Sequence, residues 1–250
     1  MLYSDDIVRG ARLIKQAAAV AVLTGAGVSK ESGIPTFREA QTGLWANYEP
    51  EKLATVEGFV SDPNLVWTWY DWRRKMVSNV KPNPGHFALV ELEQLVPKFT
   101  LITQNVDGLH RLAGSRHIVE LHGNISRHKC LKHGHVASEE VESDLPEPPK
   151  CHCGSLIRPD VVWFGEALGP QNLADSYAAA ESADVFLIIG TSGLVQPAAS
   201  FPFVAKRRGA RLIEINPEET PLTREVDFFL QGASGVILPQ LLEVLRDQSA

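Results

Sequence analysis

The chain has 250 residues, 44% hydrophobic and 22% charged, enough to bury a sizeable core in one large α/β domain with room for a small inserted module. A net charge of −6 (24 basic against 30 acidic side chains), with basic clusters only as short as Arg73-Arg74-Lys75 and Lys206-Arg207-Arg208, excludes broad binding to a nucleic-acid backbone. Three cysteines make no disulfide framework, the start MLYSDDIVRG lacks a signal-like pattern and no apolar stretch reaches membrane-spanning length, so a cytoplasmic protein is expected.

Ser4 can cap a first helix whose Ile7, Ala11 and Ile14 share a face, with Asp5 and Asp6 in its first turn. The apolar run Ala18 to Leu23 reads as the first strand, and it enters GAGVSKESGIPTFR, residues 25–38. A loop predicted over Gly33 to Trp45 follows. Ser61 to Asn79 reads as one Trp-rich helix, and Asn83-Pro84 starts another with Leu89, Leu92 and Val96 inward. Strands follow at Phe99–Thr103, Ile118–Leu121, Val185–Ile189, Leu212–Ile215 and Val226–Leu230, before a closing helix. Lys129 to Pro159 breaks the rhythm: it is polar, Pro-rich and holds all three cysteines. Strands alternating with helices predict an α/β fold with a parallel, doubly wound sheet.

A strand running into a glycine turn suits a pyrophosphate. Gly25 and Gly27 fit the first two glycines of G-x-G-x-x-G, but Lys30 stands in the third place and no strand with a terminal acid follows to take a ribose. That pattern suits chemistry attacking a dinucleotide better than hydride transfer. Polar groups close four strands: Gln104-Asn105-Val106-Asp107, His122-Gly123, Gly190-Thr191-Ser192 and Asn216-Pro217-Glu218. In an open parallel sheet such ends line a ligand crevice.

These segments, with ELHGNISRHKC from Glu120, RPDVVWFGE from Arg158 and EINPEETPLT from Glu214, resemble the sirtuins, NAD-dependent protein lysine deacylases, along nearly the whole chain. The resemblance implies a Rossmann-like large lobe (1–33, 83–123 and 160–250) and a small lobe built from a helical insertion (34–82) and a zinc module (124–159). It implies NAD as co-substrate at Gly25, Ala26, Gly27, Ser29, Glu31, Pro35, Phe37, Arg38, Trp45, Gln104, Asn105, Val106, Asp107, Gly190, Thr191, Ser192, Asn216, Pro217, Glu218 and Ala233. Phe37 would shield the reacting ribose face. Asn105, Asp107 and His122 would be catalytic, with the acyl oxygen capturing the sugar carbon as nicotinamide leaves and His122 acting as base on a ribose hydroxyl. The acyl group would then end on ADP-ribose. Val161, Val162, Trp163, Phe164 and Gly165 would pair with the acyl-lysine peptide of a substrate protein, joined by Glu166.

Tyr70 and Arg73, three apart on one helix face, match the Tyr-x-x-Arg signature of the subclass that removes succinyl and malonyl groups, and Ala54 aligns with the small residue that widens that pocket. Acetyl removal is expected too. The metal pattern departs from the usual two Cys-x-x-Cys pairs: a structural zinc would be held by Cys130, His133, Cys151 and Cys153, with His128, His135 and His152 close enough to substitute and a compact metal-free loop as the alternative. His86, His110 and His117 read as surface or capping residues. Lys30 and Glu39-Ala40 replace small residues of the glycine loop, which should alter its mobility and leave the reaction unchanged. A monomer is expected. A mono-ADP-ribosyltransferase and a non-catalytic NAD-binding partner are the other function classes considered.

Overall fold

The computed structural model describes residues 3–35, 53–137 and 147–247. Helix α1 (Asp5–Gln16) starts where the Ser4 side chain accepts from the Ile7 amide, and it buries Ile7, Ala11 and Ile14. Strand β1 (Ala19–Thr24) is buried throughout and runs into the single turn α2 (Gly27–Lys30). The Trp-rich stretch forms one helix, α4 (Pro63–Ser78), as expected to within two residues, and a short helix not anticipated, α3 (Val56–Ser61), precedes it. Asp62 explains the break: its carboxylate accepts from the Leu65 amide and Pro63 opens the new helix, a start signal lying inside an apolar pattern.

Helix α5 (Pro84–Leu95), strand β2 (Lys98–Thr103), helix α6 (Leu109–Ala113) and strand β3 (Ile118–Glu120) follow. Strands β4 (Gly123–Cys130) and β5 (Ile157–Val161) pair antiparallel as a separate sheet. The chain then runs through α7 (Pro170–Ser182), β6 (Val185–Ile189), α8 (Phe201–Arg207), β7 (Arg211–Asn216), β8 (Phe228–Gln231) and α9 (Ser234–Asp247).

The main sheet has the order β3-β2-β1-β6-β7-β8, with every pairing parallel. Its central strands read as unbroken apolar runs because helices cover both faces. Ile14, Leu89, Leu92, Leu238 and Leu241 fill one side, and Ala180, Phe186, Phe201 and Leu212 fill the other. A third core joins Phe59, Trp69 and Tyr70 to Ile125, Val161 and Trp163, seating α3 and α4 on the β4–β5 sheet. Strand order reverses between β1 and β6, so their carboxyl ends flank the crevice where such sheets take ligands. Gly25 and Gly190 stand at those two ends.

Candidate active site

The two glycine turns press directly on each other. A Cβ on Gly25 would lie 2.7 Å from the Gly190 carbonyl oxygen, and one on Gly190, whose φ is +59°, would lie 2.6 Å from the Val28 nitrogen. Hydrogen bonds from Gly25 N to Ile189 O and from Gly27 N to Gly190 O close the contact. These glycines therefore admit a neighbouring strand end, a requirement beyond close approach to a phosphate. Thr191 gathers the remaining strand ends: Gln104 Nε2 donates to its Oγ1 at 3.0 Å and Asn216 Nδ2 to its carbonyl at 2.9 Å.

Beside the turns, Asn105 Nδ2 donates to Gly25 O (3.0 Å) and Ser29 Oγ (3.2 Å), and Ser29 Oγ donates to Asp107 Oδ2 at 2.7 Å. The other Asp107 oxygen accepts from the Leu109 amide. Burial pushes the Asp107 carboxyl above its ordinary range despite these donors. His122 follows β3, and its Nδ1 lies 3.0 Å from the Gln104 carbonyl oxygen. A carbonyl only accepts, so Nδ1 carries the proton and Nε2 presents its lone pair, with no partner among the described residues. Burial holds the His122 pKa below 6.5, which favours the neutral ring; the Gln104 bond opposes this in part.

The predicted substrate segment adjoins the same histidine. Val162 N donates to His122 O and Phe164 N to Ala54 O, both at 2.9 Å, so Ala54 lies alongside residues 161–165. Trp163 Nε1 donates to the Tyr70 hydroxyl at 2.8 Å, and the Arg73 guanidinium lies 6.0 Å from the Tyr70 ring. Gly165 turns the segment at φ +83°.

Other predicted positions divide. The Glu31 carboxylate accepts from Gly235 N (2.8 Å) and Ser234 Oγ (3.1 Å), capping α9 beside Ala233, another of the predicted positions. Ser192, Pro217 and Glu218 are exposed beyond β6 and β7, while Ala26, Pro35 and Val106 are half-buried. Phe37, Arg38, Glu39, Ala40 and Trp45 lie outside the described residues.

For the metal, the ligand atoms of Cys130, His135 and Cys151 all lie within 4.8 Å of one another, and Cys153 Sγ is 3.5 Å from Cys130 Sγ. The geometry replaces His133 with His135. Cys130 N donates to His135 O and Gly134, at φ +68°, turns the chain, so Cys130 and His135 face each other across a tight turn while His133 sits exposed at its tip. Three thiols and an imidazole fit a zinc ion, a soft-to-borderline cation that takes this donor set.

His110 is also corrected, being neither a surface nor a capping residue, whereas His86 caps α5 as one of the expected readings had it. Both are essentially buried, with ring centroids 4.7 Å apart, and His86 accepts from the Asn83 amide. His110 Nε2 meets Thr24 Oγ1 at 3.1 Å, behind the glycine turn. His117 is exposed and bonded to Glu93, as expected. Sequence reasoning missed Arg158, buried beneath Trp163, and Glu120, which binds Asn124 Nδ2 (2.8 Å) and Arg127 (2.6 Å) and so braces both ends of the loop carrying His122. The signal available was a charged residue inside an apolar or strand-like run, a position that only a paired charge tolerates.

Residues 25–197 match the Sir2 family. An "NAD-dependent protein deacylase" of Aquifex aeolicus is 50% identical over 231 residues, covering 92% of this chain and 96% of its own. The crystal structure of a Sir2 homologue–NAD complex superposes with a TM-score of 0.91 at 46% identity, over 97% of this chain and 94% of the other. Sir2Af2 bound to a myristoylated histone peptide has a TM-score of 0.79 at 33% identity, over 98% of each chain. On the family match over residues 25–197 and identities near 50% along almost the whole of both chains, the chain belongs to the Sir2 family.

Proposed function

We propose that the protein is an NAD-dependent protein lysine deacylase acting on acylated peptides, with succinyl and malonyl lysine as preferred substrates and acetyl lysine also accepted. The observation that carries the reading is His122, whose Nδ1–H is tied to Gln104 O while Nε2 keeps its lone pair. NAD supplies a sugar carbon that becomes electrophilic as nicotinamide departs. Ser29, Asn105 and Asp107 form one hydrogen-bonded unit suited to orienting that ribose. His122 Nε2 would take the proton from a ribose hydroxyl, which attacks the acyl carbon as its bond to the lysine nitrogen breaks; the amine leaves protonated, and one water supplies the remaining oxygen of the acyl-ADP-ribose. Residues 161–165 supply backbone for an added peptide strand. Arg73 beside Tyr70 supports recognition of an acyl group ending in a carboxylate, a guanidinium being the natural partner. Zinc held by Cys130, His135, Cys151 and Cys153 would be structural, ordering the hairpin that leads from β4.

Turnover of paired acetyl- and succinyl-lysine peptides, with and without NAD, tests the reading. Both should be consumed only with NAD, releasing nicotinamide, and His122→Ala should lower turnover about 10³-fold while NAD still binds. Turnover without NAD, or label from NAD appearing on the protein instead of an acyl-ADP-ribose product, would refute it.

A further inference from the structure

The segment 157–166 is organised around one buried cation. Arg158 is 2% exposed, and its guanidinium donates to both Glu166 carboxylate oxygens (2.6 and 2.7 Å) and to Val161 O (2.6 Å). The same group lies 3.4 Å from the centroid of the Trp163 ring, and Glu166 also accepts from Trp163 N at 2.8 Å. Tryptophan 163 is thus held at its backbone by a carboxylate and on its ring face by a cation, with Phe59 packed 5.3 Å away. The polar atom of its ring, Nε1, donates to the Tyr70 oxygen.

That bond restricts what Tyr70 can do. The phenol is 1% exposed, its oxygen is taken as an acceptor, and among the described residues no acceptor takes its hydrogen. The charged neighbour Arg73 can only donate, so it cannot satisfy the phenol. Burial also raises the Tyr70 pKa, keeping the hydroxyl protonated. A buried hydroxyl with an unused donor beside a cation calls for an incoming group that only accepts.

Building on the acyl preference proposed above, we infer that Trp163, clamped by Arg158 and Glu166, is a specificity-determining residue: its indole N–H fixes Tyr70 as a pure donor, so that the pocket selects acyl groups ending in a carboxylate. Trp163 acts here through Tyr70 and needs no contact of its own with the carboxylate.

The test compares kcat/KM for succinyl- and acetyl-lysine versions of one peptide in wild type, Trp163→Phe, Tyr70→Phe and the double variant. Trp163→Phe keeps an aromatic ring but removes the N–H donor. The succinyl/acetyl ratio should fall about tenfold, the weight of one oriented hydrogen bond to a charged group, chiefly through the KM of the succinyl peptide. The double variant should lose no more of that ratio than Tyr70→Phe alone, because the tryptophan works through the tyrosine. Site-specific replacement of the indole by benzothiophene, equal in shape but without N–H, should give the same fall and guards against a repacking effect of phenylalanine. An unchanged ratio in both Trp163 replacements, or losses that multiply in the double variant, overturns the inference while leaving the acyl reading standing. A wild type that does not turn over the succinyl peptide overturns the acyl reading itself and the inference with it.

Discussion

The glycine turns at the centre of the sheet and the cysteine hairpin at the end of β4 both bring distant residues together, by opposite means. At the turns, backbone meets backbone: Gly25 and Gly27 touch Gly190 closely enough that a single methyl group would collide. In the hairpin, side chains meet while the backbone stays open, and a Cβ on Gly134 or Gly154 would find no atom within 4 Å. The first region is specified by the absence of side chains, the second by their reach. Substitution should therefore hurt them in different currencies, the turns in folding stability and the hairpin in metal affinity.

Gly190→Ala should produce the largest effect. Its methyl would sit 2.6 Å from Val28 N, on a residue at φ +59°. Overpacking and left-handed strain together should cost about 4 kcal/mol, read as a shift in urea midpoint. Gly134→Ala, at φ +68° in open space, carries only the strain and should cost about 1 kcal/mol. Equal losses in the two variants would erase the contrast between the regions.

The hairpin should respond instead through its ligands. His135→Ala should weaken zinc at least about 100-fold, or roughly 2.8 kcal/mol, in competition with a chromophoric chelator. His133→Ala should leave the affinity within about twofold, since that ring lies at the exposed tip of the turn. Cobalt substitution should give a spectrum of three sulfurs and one nitrogen, lost in His135→Ala alone. Loss of metal in His133→Ala would restore the ligand set expected from the sequence.

This contrast also explains how much could be read beforehand. Strands β1, β2, β6 and β7 and the polar groups at their ends were legible because buried parallel strands announce themselves as apolar runs and glycine is the one residue a contact such as that at Gly190 admits. Ser29, Asn105 and Asp107 do come together, as do His122 and the segment from Val161. Spacing failed where a choice depended on which way a turn faces. His133 sits at the usual Cys-x-x-ligand interval, yet the Cys130–His135 backbone pair decides the outcome. The role of Glu31 was hidden because its partners, Ser234 and Gly235, lie about two hundred residues away in sequence. Helix α3 went unread because Val56–Ser61 is only six residues long, too short for a helical period to show.

The floor beneath the glycine turn carries the last predicted effect, one set by pH. His86 and His110 are buried there, and burial lowers their pKa values from 6.5 to about 4 and about 3, the nearby His86 adding to the shift at His110. Above pH 6.5 both are neutral in the folded and unfolded chains, and neither state gains by titration. As pH falls below 6.5, the unfolded chain binds protons that the folded chain refuses, so stability drops by about 1.4 kcal/mol per pH unit for each histidine until the folded values are reached. Between pH 6.5 and 5 one such histidine should therefore account for about 2 kcal/mol. His110→Gln removes that proton site, so its stability should decline less than the wild type's between pH 7 and 5 even though it starts lower, having lost a ring packed behind Thr24. Parallel stability curves for the two proteins across that interval would mean the ring is free to charge in the folded state, and with that the floor would be open to water rather than sealed by the same close contact that brings Gly25 against Gly190.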